Sequence, residues 1–401
     1  MTEREKLTLT VAFGVVFGYA VSLAMTFAAH IWILDAAGRP IVDDFVAFWS
    51  AGHLALSGAA LATYDPRLQH AAEIATIGHG FPGSLGWSYP PAYLFVVSAL
   101  AFLPYTTAFV VWCVATLLLY AAAIALISGR RTDGLLACAA PWVLTALTPG
   151  QNGFLTAALI ALSLVYLERR PALGGLFLGL LSYKPQFGIL FPLALAAGGY
   201  WRAFAWAAAT ALASNGLAGA VFGFGTFAAF LHSLGVATQS HLTIAGLGWN
   251  KLQSIYGLAR SAGSSGATAW AAQAVISLTL ALGVVLCWRA RLPYALKAAF
   301  LATAALLATP YVFVYDLPVL SVAVAFLARH RRFDVVELAL LAATVPAVFA
   351  FLWVPVPSAL FATLAIGAIV LRRLAVELAP VFHALPGGDP VAQYSPPCVQ
   401  P

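Results

Sequence analysis

Charge is what this chain has least of. Lys, Arg, Asp and Glu make up 8% of its 401 residues, against about 25% in a soluble domain. So few charges cannot cover a water-exposed surface, which excludes an ordinary soluble fold. Cysteine is scarce too: Cys113, Cys138, Cys287 and Cys398 lie far apart, and three sit in apolar runs. Neither a disulfide framework nor a zinc site is expected from that spacing. There is no nucleotide loop of the Walker type, none of the Rossmann type set between a strand and a helix, no His-Glu-x-x-His and no Gly-x-Ser-x-Gly. Soluble nucleotide-binding machinery is thereby excluded, and any donor must arrive through the membrane or from its outer face.

What the chain has in abundance is apolar sequence: 62% of residues are hydrophobic. A helical span needs about 20 such residues, and about twelve candidate spans run from Leu9–Leu34 to Ser358–Leu371. They include Pro91–Leu103 and the long Leu173–Ala197. The first run, Leu7 to Leu34, is too long for the apolar core of a cleaved signal peptide and is expected to be a retained span. The expected fold is all-α: a polytopic transmembrane helical bundle forming one integral membrane domain over residues 1–378, with residues 379–401 a disordered tail rich in Pro and Gly. No internal repeat is evident.

Two long polar segments interrupt the pattern, residues 35–90 and 223–266, and loops of such length are usually functional or disordered. The first contains Phe45, Phe48, Trp49, Leu54, Leu56 and Leu61, which suggests a helix lying at the membrane interface. The tracts Arg289–Arg291, Arg329–Arg332 and Arg372–Arg373 fit the cytoplasm. With twelve spans both termini are then inside and both long segments outside. That count leaves Arg130–Arg131 and Arg169–Arg170 on the outer side, against the rule.

Polar groups at membrane depth cost about 2.5–3.5 kcal/mol each, so each needs a reason. Asp43-Asp44-Phe45 follows the first span. An Asp there can cap a helix, but only one of the two can do so. The other is free to act as a base, and partial desolvation would favour that role. Trp87-Ser88-Tyr89-Pro90-Pro91 reads as a rigid helix start. Pro149-Gly150-Gln151-Asn152-Gly153 is a turn able to line a wet cavity. Tyr183-Lys184-Pro185-Gln186 puts an ammonium in mid-run, where a phosphate partner would offset its cost; snorkelling is the plainer alternative. Tyr315-Asp316 puts a carboxylate in another apolar run, to pair with Lys184 or an Arg or to bind a sugar hydroxyl. His53 is among the five histidines of the two polar segments.

In this order the landmarks resemble glycosyltransferase family 87, the polyprenyl-phosphate-mannose-dependent mannosyltransferases of the GT-C superfamily. The resemblance is carried by Asp44-Phe45, Phe48, Ala51-Gly52, Gly58, Tyr64-Asp65, Tyr89-Pro90-Pro91 and Gly150-Gln151-Asn152. It continues through Gly174-x4-Gly179, Lys184-Pro185, Thr309-Pro310 and Tyr315-Asp316. It covers residues 40 to about 320. It implies a GT-C-like helical bundle with a large non-cytoplasmic first loop, a lipid-phosphate sugar donor, and an early aspartate as general base. That role falls on Asp44, with Asp43 as the fallback. The family commonly has a histidine after the Thr-Pro; this chain has Tyr311.

The resulting expectation is a hexosyltransferase, a mannosyltransferase in the first instance, in the bacterial inner membrane. It would pass a sugar from a polyprenyl phosphate to a glycan or glycolipid acceptor on the periplasmic face, with inversion. Lys184, Gln151, Asn152, Tyr89, Tyr315, Asp316 and His53 are the expected donor phosphate and sugar contacts. No cofactor and no metal are assigned, although a divalent cation beside Asp43-Asp44 is conceivable, and nucleic acid is not expected as a partner. The alternative is a multi-pass transporter or a lipid-linked-glycan flippase, because breaks at Gly150 and Pro185 suit that class; its usual paired repeats and short outer loops are not seen. A third reading is a non-catalytic subunit of an envelope assembly.

Overall fold

The long apolar runs become helices, broken where Pro, Gly or Asp intervenes. The computed structural model describes residues 3–238 and 248–383. Among these residues every regular element is helical, apart from isolated bridges joining Trp32, Leu34 and Pro40. The expected tail at 379–401 lies largely outside the described residues; the last helix runs on to His383.

The chain shuttles between two ends of one bundle. Helix α1 (Glu3–Ala28) starts beside Arg130, whose guanidinium is 3.2 Å from Glu5, and rises to the opposite end. There the first long segment folds into α2 (Asp44–Leu56) and α3 (Pro66–Ile77), followed by the short α4 (Leu94–Ala101). Helix α5 (Tyr105–Ser128) descends, and α6 (Arg131–Cys138) with α7 (Trp142–Leu147) climbs back as one broken pass. Next α8 (Gly153–Leu167) descends, α9 (Pro171–Leu180) rises to Lys184, and α10 (Pro185–Gly188) with α11 (Phe191–Ala197) descends again. Helix α12 (Trp201–Phe222) rises to the second long segment, which holds α13 (Gly225–Thr238) and α14 (Ile255–Ser261). Five alternating passes complete the bundle: α15 (Gly266–Arg289), α16 (Tyr294–Leu307), α17 (Val319–His330), α18 (Val335–Ala350) and α19 (Leu360–His383).

Named contacts fix these levels. At mid-height Tyr120 donates to Ser321 Oγ at 2.6 Å, and Trp142 Nε1 donates to the same oxygen at 2.9 Å. At the starting end Tyr294 donates to the Leu164 carbonyl, and its ring meets Trp288 and Phe326. Arg373 is buried there and grips the buried Glu337 through two bonds of 2.9 and 2.7 Å. All five arginine tracts therefore gather at that end, Arg130–Arg131 and Arg169–Arg170 included.

Two exchanges in the expected spans produce this result. Residues 91–103 do not make a pass. The segment starts and ends at the same level: the Tyr89 ring just before it meets Phe48 of α2 at 5.5 Å, and its last residue, Leu103, meets the next α2 residue, Trp49. Its residues pack on α2, where Trp49 Nε1 donates to the Leu103 carbonyl at 3.1 Å. Leu173–Ala197, conversely, makes two passes that turn at Lys184-Pro185. The proline cannot continue the helix begun by α9.

Four helices are long and apolar enough to cross a bilayer unaided: Glu5–Ala28, Tyr105–Ser128, Trp201–Phe222 and Gly266–Arg289. Leu7, Phe13, Phe17 and Met25 on α1, and Leu278, Leu282 and Leu286 on α15, are exposed. Apolar side chains in continuous exposed bands belong against lipid. Helices α8 and α16 are apolar and buried over most of their length, as the centre of a bundle requires, with Lys297 near the start of α16 donating to the Trp288 carbonyl. Helices α9 and α12 touch backbone to backbone: a Cβ on Gly175 would lie 2.3 Å from the Ala203 carbonyl oxygen.

The helix expected to lie at the interface is instead built into the protein. On α2, Phe45, Val46, Phe48 and Ala51 are buried, and only its far end, with Leu56, is exposed. Its apolar residues cover too much of its circumference for a one-sided surface helix. The spacing Gly78-x-Gly80-x2-Gly83 falls in irregular chain after α3. It neither follows a strand nor opens a helix, so the phosphate-cradling geometry of a dinucleotide loop is not formed.

Candidate functional site

Three breaks in helical sequence meet at the end of the bundle opposite the arginines: Asp43-Asp44, Gln151-Asn152 and Tyr315-Asp316. The acidic pair divides its labour. Asp43 has extended backbone angles and caps α2, accepting from the Phe45 amide at 3.1 Å and from the Tyr105 hydroxyl at 3.2 Å. Asp44 is the first helical residue, and its Oδ2 accepts from Gln151 Nε2 at 3.0 Å. Capping thus uses Asp43 and, among the described residues, leaves one Asp44 oxygen without a side-chain hydrogen bond.

Gln151 is held from behind. The Tyr89 hydroxyl donates to its Oε1 at 3.4 Å, and the Asn152 amide donates to the same atom at 3.3 Å. Tyr89 in turn belongs to an aromatic cluster with Phe48, Trp87, Tyr93 and Tyr183. Asn152 is fully buried and donates to Tyr93 at 3.4 Å, while its carbonyl accepts from Thr156 and Tyr183. It supports Gln151 and does not reach the cavity. Gly150 has φ +62 and Gly153 leaves no space beside it: a Cβ there would lie 1.7 Å from the Tyr315 carbonyl oxygen. Only glycine lets the Gln151 turn and the Tyr315 turn approach so closely.

Lys184 and Asp316 form the buried pair considered above, at 2.6 Å. Asp316 Oδ2 also accepts from the Phe313 amide at 3.0 Å, and the Lys184 ammonium stands 5.5 Å from the Tyr315 ring centroid. The ammonium already has a carboxylate partner, so binding a phosphate would require that pair to part. Its charge still reaches Asp44.

Asp43 and Asp44 line a cavity of about 560 Å³. One wall is mainly apolar, from Leu23 of α1 and Ile31 just after it to Phe349, Phe351 and Leu352 at the end of α18, with Ser22 and Thr26 of α1 also in the lining. The other carries Thr145, Thr148, Tyr315 and Lys251. Lys184, Gln151 and Asp316 stand behind this surface. His53 is elsewhere: its exposed ring lies 3.8 Å from that of Trp49, tilted by 60°, more than two helical turns along α2 from Asp44. Sequence reasoning missed Lys251. It is one of only four lysines in the chain, which was a usable signal, but nothing local links it to Asp44.

Desolvation dominates the electrostatics of the acidic pair. Burial, reinforced by the neighbouring Asp44 carboxylate, pushes Asp43 up to about 8. Burial also raises Asp44, opposed by the Gln151 hydrogen bond and then by the Lys251 and Lys184 ammoniums. Asp43 is thus kept protonated near neutral pH, and the cations around Asp44 favour its charged form. A carboxylate at the mouth of an apolar cavity, backed by the Lys251 and Lys184 ammoniums, is suited, in its ionised form, to taking a proton from a hydroxyl.

No curated protein and no solved structure matches this chain. A model of glycosyltransferase family 87 matches residues 87–310, more than half of the sequence, including Tyr89, Gln151, Lys184 and Lys251. Asp44 precedes the matched segment and Asp316 follows it. On that match, the helical membrane protein described here belongs to glycosyltransferase family 87.

Proposed function

We propose that this membrane glycosyltransferase transfers a hexose, mannose in the first instance, from a polyprenyl phosphate to a glycan or glycolipid hydroxyl. Asp44 takes the proton from the acceptor hydroxyl while that oxygen forms a bond to the anomeric carbon. The bond from that carbon to the phosphate oxygen breaks, and polyprenyl phosphate leaves. One displacement inverts the centre, and no redox cofactor is needed for the balance. The observation that carries this reading is Asp44 itself, spared from capping by Asp43 and facing a cavity with an apolar wall and a cationic one. Preorganised charge in such a low-dielectric site stabilises a developing phosphate far more than it would in water. The apolar wall suits a prenyl chain.

The arginine tracts support an orientation with their end in the cytoplasm and the cavity facing the periplasm of a bacterial inner membrane. Twelve passes then return both termini to the cytoplasm. Family membership weighs against the transporter reading.

The direct test reconstitutes the protein with a panel of polyprenyl-phosphate sugars and follows release of the lipid phosphate. Consumption of one donor supports the reading. Solute flux across the vesicle with every donor left intact overturns it. The pH profile gives a second check. Asp44 must be ionised to act, and burial raises its pKa, so at a given acidic pH less of it is charged than of a surface Asp. The value of kcat/KM therefore rises with pH along a limb displaced above the ordinary Asp value of about 4. A limb at or below that value contradicts the assignment.

A further inference from the structure

Lys251 stands on a short turn that is pinned on three sides. Asn250 Nδ2 donates to the Phe351 carbonyl at 3.0 Å, tying the turn to the end of α18. The buried Gln253 donates through its backbone to the Val312 carbonyl at 2.7 Å, and its Oε1 accepts from the Leu360 amide at 3.1 Å. Trp249 lies under the Arg260 guanidinium, 4.5 Å from its ring centroid. The backbone at Lys251 is therefore rigidly held between α18, α19 and the segment leading to Tyr315, while its own side chain is exposed and lines the cavity.

Among the described residues Lys251 makes no ion pair within 4 Å, and it is the single cation in the cavity lining. Lys184, by contrast, is already neutralised by Asp316. An ammonium carried on a pinned turn shares this mainly apolar cavity with Asp44 and with Asp43, whose charge burial suppresses near neutral pH, and that leaves the cavity poorly matched to an uncharged lipid. It is well matched to one with an anionic head.

We propose that Lys251 binds the phosphate of the lipid-linked donor, and of the lipid phosphate product, with the chain of that lipid against the α1 and α18 wall. The inference rests on the lipid-phosphate reading given above. It makes Lys251 a binding residue that sets both donor affinity and product release. It also separates the two lysines: Lys184 acts through Asp316 and the field at Asp44, and Lys251 touches the ligand.

The test uses the purified full-length protein in nanodiscs, with undecaprenyl phosphate and undecaprenol as probes, and compares wild type with Lys251→Gln and Lys251→Arg. Losing a charge-assisted hydrogen bond corresponds to about a tenfold to hundredfold change in affinity. Lys251→Gln is expected to weaken undecaprenyl phosphate by that factor and leave undecaprenol unchanged, with Lys251→Arg recovering most of the loss. An equal loss for both probes makes Lys251 part of the cavity wall and overturns the proposal. So does an unchanged phosphate affinity in Lys251→Gln accompanied by an acid limb moved to higher pH, because Lys251 then serves only to keep Asp44 ionised. If wild type consumes lipid-phosphate sugars while Lys251→Gln keeps full affinity, this inference alone fails. If wild type neither binds undecaprenyl phosphate nor consumes any such donor, the functional reading fails with it.

Discussion

Asp44→Asn is expected to lower kcat by about 10²–10⁴-fold, the usual worth of a positioned general base. Asn has the shape of Asp, and its side-chain oxygen still accepts from Gln151 at the present distance of 3.0 Å. The cavity therefore keeps its form and loses only the proton acceptor. Donor affinity should change little, so the effect falls on turnover. Asp43→Asn is the informative contrast. Asn is as good a helix cap as Asp, and Asp43 is held neutral near pH 7 by burial and by its neighbour. Its loss of activity should be small. Turnover in lipid nanodiscs at saturating donor reads both variants. An Asp44→Asn enzyme with near wild-type kcat, or a larger loss in Asp43→Asn, would reverse the roles given to the pair.

The second large effect is structural. Gly153→Ala would put a methyl group 1.7 Å from the Tyr315 carbonyl oxygen. That atom is backbone, braced by the turn whose Asp316 is bonded to Lys184 and to the Phe313 amide. No side-chain rotation can relieve the clash. The cost should be about 3 kcal/mol or more, at or beyond the upper end for overpacking. Thermal stability in detergent, read by fluorescence-detected size exclusion, should fall sharply together with the yield of folded protein. Molecules that survive should have Gln151 displaced from Asp44 and little activity. Gly18→Ala is the matched control, because a Cβ there meets nothing within 4 Å and Ala favours the helix interior by about 0.5–1 kcal/mol. If both variants melt like wild type, the close approach of the two turns is not needed.

These results bear on what could be read from the residues alone. The class of fold was legible because helix-length apolar runs leave no other solution in lipid. The division between Asp43 and Asp44 was legible as a question, since a helix has one N-cap, but which of them took it depended on where the backbone first turns. The Lys184–Asp316 pair was legible as one of several options. A buried ammonium needs a partner, and Asp316 was the carboxylate in the next suitable run. The passes between residues 91 and 200 were misread for a definite reason. Hydrophobicity reports burial, and α4 is buried by protein at one end of the bundle instead of by lipid across it. At Lys184-Pro185 the opposite happened: continuous apolar sequence concealed a reversal. The misplaced arginines were the visible symptom of both. Lys251 could not have been placed. It sits on an irregular turn with no periodicity, and its position is set by bonds to Phe351, Val312 and Leu360, all distant in sequence.

His53 shows the limit of reading by residue type. A histidine on the same helix as an acidic residue is an attractive candidate, yet helical geometry alone moves it about 13 Å along α2 from Asp44. It ends on the exposed face against Trp49.

The central claim is that one ionised carboxylate drives a single displacement at the anomeric carbon of a lipid-phosphate sugar. The stereochemistry of the product tests it most directly. The reconstituted protein is given a polyprenyl-phosphate hexose of defined anomeric configuration, and the anomeric coupling in the glycosylated acceptor is read by NMR. The account predicts the opposite configuration in the product. Retention would mean a double displacement or another route, and would contradict it.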